Sequence, residues 1–130
     1  MKNRLNILLI ILVSVLAWGS SAYAGCTNAQ FAGTWDVTFS DGNSCTFLVD
    51  KQGDVIADES ICNDPFRGTT APDSGSFAVA EGCSFEAGIV VEGIPIELAG
   101  YISRGRDTGA GSFVLRDFFL KGGITLVRLQ

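Results

Sequence analysis

From Thr34 onward the chain is a succession of short apolar–polar alternations, each cut after a few residues by Gly, Asp, Asn or Pro. A period of two that never lasts long reads as half-buried strands joined by tight turns, and no window sustains a helical period. Thr34-Trp35-Asp36-Val37-Thr38-Phe39 places Trp35, Val37 and Phe39 on one face, and Ser40-Asp41-Gly42-Asn43 turns the chain. Residues 45–50, 55–62, 76–80, 83–91, 94–102, 112–120 and 124–129 read as the following strands. The turns between them fall on Lys51-Gln52-Gly53-Asp54, Glu92-Gly93, Arg104-Gly105-Arg106-Asp107 and Lys121-Gly122-Gly123. Residues 63–75, with Pro65, Gly68, Pro72 and Gly75, read as the longest loop.

Eight strands with hairpin-length connections leave no room for parallel crossovers. An open meander exposes two edges, so the expected fold is all-β, an eight-stranded antiparallel up-and-down barrel, with a two-sheet β-sandwich as the alternative. Trp35, Val37, Phe39, Phe47, Phe77, Phe85, Ile89, Ile96 and Phe113 are the inward candidates. Their bulk predicts a core filled by side chains in preference to a ligand cavity.

Residues 1–24 read as a secretory signal. Lys2 and Arg4 give a positive start, residues 7–18 form an apolar core, and Ala22-Tyr23-Ala24 supplies the small residues a signal peptidase reads. An uncleaved anchor is one rival. Lipidation at Cys26 is another, although Tyr23 stands where such sites usually carry Leu. The expected domains are therefore a signal at 1–24 and one β-barrel domain at 25–130, in a periplasmic or extracellular protein with no membrane span after cleavage. The exported part keeps seven of the nine basic residues and all fourteen acidic ones. That acidity argues against nucleic acid and anionic membrane surfaces as partners.

Cys26, Cys45, Cys62 and Cys83 all lie in the exported part. An oxidising compartment and a small domain favour two disulfides. The wide spacings lack the close pairs of a zinc site or a redox motif. Of three connectivities, Cys45–Cys62 with Cys26–Cys83 is favoured. A two-residue hairpin turn at Gly53-Asp54 would set Cys45 directly across from Cys62, whereas a type I turn with a bulge would shift that register. Each bridge is worth about 2–4 kcal/mol.

Phe31-Ala32-Gly33-Thr34-Trp35 carries a Gly-x-Trp on the first strand. In this it resembles the calycin group, which includes lipocalins, avidins and small bacterial inhibitors of secreted metalloproteases. Gly33, Trp35, Cys45 and Cys62 follow the order and rough spacing of the inhibitor family, across about a third of the exported chain. The resemblance implies a meander barrel and a Cys45–Cys62 bond. It also implies a protease-directed role, in which a flexible N-terminal arm enters the protease cleft. Here only residues 25–32 precede Gly33, and Cys26 would tether them if bonded to Cys83. The second cysteine pair does not match the family.

Other candidate sites rest on single residues. Phe66 and Arg67, flanked by Pro65 and Gly68 on the longest loop, suit a contact surface, unless Phe66 folds back over a barrel end. Arg104 and Arg106, with Arg116, Lys121 and Arg128, are the basic residues of the C-terminal part. They could gather as a patch for an acidic partner or simply balance charge between neighbouring strands. Asp50, Asp54, Asp58, Glu59 and Asp64 are close in sequence, but not in an EF-hand pattern, so no metal and no cofactor is expected. The chain has no His, which excludes His-dependent nucleophilic and zinc chemistry from its own residues. No motif singles out a carboxylate pair for catalysis. The expectation is an exported, non-catalytic binding module, protease-inhibitor-like as the resemblance implies, with a protein partner ahead of a small molecule. A calycin-type carrier of a small apolar ligand and a structural envelope or matrix protein are the alternatives.

Overall fold

The computed structural model describes residues 25–129, so the signal expected at 1–24 lies outside the described residues. The elements are a one-turn helix α1 (Asn28–Phe31) and strands β1 (Gly33–Phe39), β2 (Ser44–Val49), β3 (Ile61–Asp64), β4 (Gly68–Thr70), β5 (Ser74–Val79), β6 (Ser84–Val91), β7 (Ile94–Ile102), β8 (Thr108–Leu115) and β9 (Leu120–Leu129). Short 3-10 turns occupy Ala57–Glu59 and Arg116–Phe118. Among the described residues, nine strands form one antiparallel sheet in the order β4-β3-β2-β1-β9-β8-β7-β6-β5. The first long strand therefore lies beside the last, from Thr34↔Leu129 to Phe39↔Ile124.

Local chemistry fixes the hairpins. At the β1–β2 turn the Asp41 carboxylate accepts the Asn43 N–H at 3.0 Å. At the β6–β7 turn Glu92 and Gly93 both take positive φ, 51° and 76°. That is the primed turn whose twist matches a two-residue hairpin.

The sheet is a curled half-barrel rather than a fully closed one. Its edges, β4 and β5, do not pair with each other. Residues 53–55 close one end instead. Val55 bridges Val49, Asp54 bridges Ser76, Val55 N–H donates to Gly75 O at 2.9 Å, and Phe77 N–H donates to Gly53 O at 2.7 Å. The other end stays slit open between β4 and the tip of the β6–β7 hairpin.

Four expectations need correction. Residues 63–75 are not one loop: Asp64 pairs with Gly68, and the Asp64 carboxylate accepts the Phe66 N–H at 2.8 Å. That side-chain turn seeds the β3–β4 hairpin and supplies the ninth strand. Residues 55–62 are not one strand, because Ala57–Glu59 bulge out as a 3-10 turn. Buried Ser60 spans this break. Its hydroxyl accepts the Leu48 N–H at 3.0 Å and donates to Ile56 O at 2.8 Å. Lys121-Gly122-Gly123 is not a turn but part of β9, and the chain reverses at residues 116–119 instead. A Cβ on Gly122 would strike Ser40 Oγ and lie 2.7 Å from the Phe113 ring, so the glycine makes room for neighbouring side chains rather than for a bend. Finally, one helical turn does exist. Thr27 Oγ1 accepts the Gln30 N–H while Gln30 Oε1 accepts the Thr27 N–H, a capping box.

Of the inward candidates, Trp35, Val37, Phe39, Phe47, Phe77, Phe85, Ile89 and Phe113 are buried, and Ile96 is half-buried. They are joined in the core by Phe31, Val49, Leu98, Ile102, Ile124 and Leu126. Between β7 and β8, inward-facing Gly100 pairs with Gly111. A Cβ on either would lie 2.7 Å from the other's Cα, so the two strands curl without inward side chains there.

Both disulfides form, Cys26–Cys83 and Cys45–Cys62. Cys45 and Cys62 do face each other, but not through a turn at Gly53-Asp54. Asp50 N–H donates to Asp54 O, which sets one register, and the three-residue bulge at Ala57–Glu59 shifts it to the one that aligns the cysteines. The Cys26 sulfur, bonded to Cys83, is not free for a thioether.

Candidate functional site at the open end

The two ends of the half-barrel are built differently. At the closed end α1 acts as a plug. Phe31 stacks on Trp35 with centroids 4.5 Å apart and packs against Phe77 at 5.0 Å. The Trp35 indole N–H donates to Phe31 O at 2.7 Å. The Arg128 guanidinium lies 4.7 Å over the Trp35 ring. It donates to Ala32 O at 2.7 Å, Gln30 O at 2.6 Å and Arg106 O at 2.9 Å. Cys26–Cys83 then ties the segment before α1 to the β5–β6 turn. Among the described residues no buried side-chain nitrogen or oxygen lacks a hydrogen-bond partner, and these contacts make the closed end the part that holds the fold together.

The opposite end is open. Hairpin turns β1–β2, β3–β4, β6–β7 and β8–β9 surround a cavity of about 400 Å³. Its floor is apolar: Phe39 and Phe113, meeting edge to face at 5.2 Å, with Ile94, Ile96, Leu115 and the Cys45–Cys62 bridge. Asp41, Asn43, Asn63, Asp64, Arg67 and Glu92 stand around its rim. The expectation of a completely filled interior thus holds for the plugged half and fails at the mouth, where the inward positions of β7 and β8 are only half covered.

Apolar side chains crowd this end from outside. Phe66, at the tip of the β3–β4 hairpin, is 95% exposed. Phe118 and Phe119, on the β8–β9 turn, are 59% and 98% exposed. Phe66 therefore projects outward and does not fold back over the barrel. Phe119 also holds a left-handed backbone, φ 50° and ψ 31°, a conformation that disfavours a bulky residue. Arg67, beside Phe66, approaches Glu92 of the β6–β7 turn at 3.9 Å and spans the slit.

The sequence candidates separate. Phe66 and Arg67 lie at the open end. Arg104 and Arg106 sit on the β7–β8 turn at the closed end, where the Arg106 carbonyl serves Arg128. Arg116 and Lys121 are at the other end, with Arg116 bonded to Glu97 at 2.9 Å. The basic residues therefore do not form one patch, because β7–β8 and β8–β9 turns necessarily lie at opposite ends of a meander. Asp50 accepts from Gln52 and Asp54 N–H groups and is committed to its own turn. Among the described residues no group of three or more carboxylates or cysteines is arranged to hold a metal ion. Phe118, Phe119 and Glu92 were missed as site residues. Reading residues 112–120 as one strand hid the turn that presents both phenylalanines.

No protein-family model, curated protein or solved structure matches the chain. The geometry of the open end therefore carries the functional argument alone. Among the described residues no helix is long and apolar enough to cross a membrane.

Proposed function

We propose that the chain is an exported, non-catalytic binding module that engages a protein partner through its open end. The observation that carries this reading is the set of outward phenylalanines, Phe66, Phe118 and Phe119, around an apolar-floored mouth. Exposed aromatics at the centre of an apolar patch are the usual anchors of protein interfaces. A strained backbone at Phe119 supports the same reading, since strain persists where a side chain is held for use. Two disulfides support export to an oxidising compartment. The lack of His and the use of Asp41 and Asp64 in turn hydrogen bonds support a non-catalytic role.

The resemblance to the metalloprotease-inhibitor family rests on the order and spacing of Gly33, Trp35, Cys45 and Cys62 in the sequence. An arm-in-cleft mode is disfavoured, because residues 25–32 are pinned by Cys26–Cys83, α1 and Arg128. An inhibitor built this way would meet its protease with the open end.

The test is affinity capture from the exported fraction of the native cell. The immobilised bait is the oxidised protein, or its Phe66→Ser, Phe118→Ser double variant, with circular dichroism confirming that both fold. A partner retained by the parent and lost by the variant is the expected result. Equal retention by both baits would overturn the assignment of the mouth. The mouth's volume favours one second reading, a carrier of a small apolar ligand, since about 400 Å³ lies within the range of such sites. Native mass spectrometry showing a bound small molecule would favour that reading instead.

A further inference from the structure

The slit gives the partner a shape and a charge. β4 is an edge strand whose outer side pairs with no other strand of the sheet. It borders the cavity through Gly68, Thr69 and Thr70. On the far side of the slit, β6 and β7 run on past the start of β5, because Ser74 pairs with Val90 and nothing in β5 pairs with Val91. An unpaired edge beside an apolar cavity is the arrangement that accepts an added strand, with alternate side chains entering the cavity.

The lining charges are unequal. Asp41, Asp64 and Glu92 face a single cation, Arg67. The exported chain is itself strongly acidic. The ion pair across the slit, Arg67–Glu92, spans 3.9 Å with side chains 71% and 52% exposed. So exposed a pair is weak and can yield to an incoming chain. Resting on the reading of the open end as a protein-binding site, we propose that this slit takes an extended, basic–apolar segment of the partner, which adds beside β4. Its apolar side chains rest on Phe39, Phe113 and Ile96, and its cations meet Asp64 and Glu92.

The probe is a six-residue peptide alternating lysine with leucine or phenylalanine. A control carries glutamate for lysine, and a second control is dodecyltrimethylammonium, which offers the charge and apolarity without a backbone. Binding is followed by amide shifts and hydrogen exchange in the oxidised protein. The lysine peptide is expected to shift and protect Thr69 and Thr70 amides and to move Ile94 and Ile96. The glutamate peptide should do neither. Asp64→Asn with Glu92→Gln keeps the turn hydrogen bonds available and should weaken the lysine peptide roughly fivefold, with added salt weakening it further.

Equal binding of both peptides at the mouth would overturn the charge assignment and leave the open end standing as a binding site. Binding of the detergent alone would overturn strand addition in favour of a small amphiphile. Silence from all three probes, alongside a mouth-dependent partner in the capture experiment, would overturn this inference without touching the broader reading. Failure of the capture experiment as well would remove both.

Discussion

Single residues divide between holding the fold and presenting the mouth, and Arg128 and Phe119 mark the two extremes. Arg128 spends its guanidinium on three carbonyls and one indole face. Arg128→Ala would leave the end of α1 without its donors and uncover Trp35. A loss of about 2–4 kcal/mol is expected in urea unfolding, with Arg128→Lys recovering part of it, because an ammonium cannot fork between the carbonyls. Phe119 is the reverse case. It is 98% exposed yet left-handed, a conformation that costs a bulky L-residue about 1–2 kcal/mol. Phe119→Asn should therefore leave stability unchanged or raise it by up to about 1 kcal/mol, since Asn tolerates this region. The same variant should retain less of a captured partner. A drop in stability would show that the ring packs in solution and serves the fold.

At the scale of elements, the hairpins were legible where the turn chemistry is local and opaque where packing overrides it. Glu92-Gly93 reads correctly because two positive-φ residues suit a two-residue turn. Gly122 and Gly123 read as a turn for the same compositional reason, but the Ser40 hydroxyl and the Phe113 ring occupy the side-chain space at Gly122, a fact no local pattern contains. The Cys45–Cys62 alignment was anticipated through the wrong turn. The bulge that produces it depends on Ser60 replacing a ladder bond. The α1 turn had a readable sign in Thr27 and Gln30, spaced as a capping box. Gly111→Ala is expected to cost several kcal/mol or prevent folding, since its Cβ would strike Ala99 O and lie 2.7 Å from Gly100 Cα. Gly88 has nothing within 4 Å of its Cβ position, so Gly88→Ala should be neutral or slightly stabilising; thermal melts of the pair provide the comparison. The two disulfides should also differ. Loop entropy gives the 57-residue separation of Cys26–Cys83 about 1 kcal/mol more than the 17-residue separation of Cys45–Cys62. Removing each pair as a double Ala variant tests the order. Only loss of the Cys45–Cys62 bond is expected to loosen the β3–β4 hairpin and alter the mouth.

Across the whole molecule, the asymmetry between the ends predicts how it opens. β1, β9, β8, β7 and β6 pair along most of their lengths, and the plug fastens their closed end. The β3–β4 hairpin pairs with β2 over three residues, Ser44, Cys45 and Thr46. Its remaining holds are the Cys45–Cys62 bond and an exposed ion pair. Few buried contacts and a short ladder mean a low local opening free energy. Native-state hydrogen exchange should therefore find the amides of residues 61–70 exchanging through sub-global opening, well below the free energy that protects β1 and β9. Reduction of Cys45–Cys62 should lower that opening free energy further while leaving protection in β1 and β9 nearly unchanged. A partner seated in the slit should raise protection of residues 61–70 first. Uniform exchange across the sheet would mean that the half-barrel opens only as a unit, and that the hairpin is a fixed wall of the mouth rather than a flap admitting a strand.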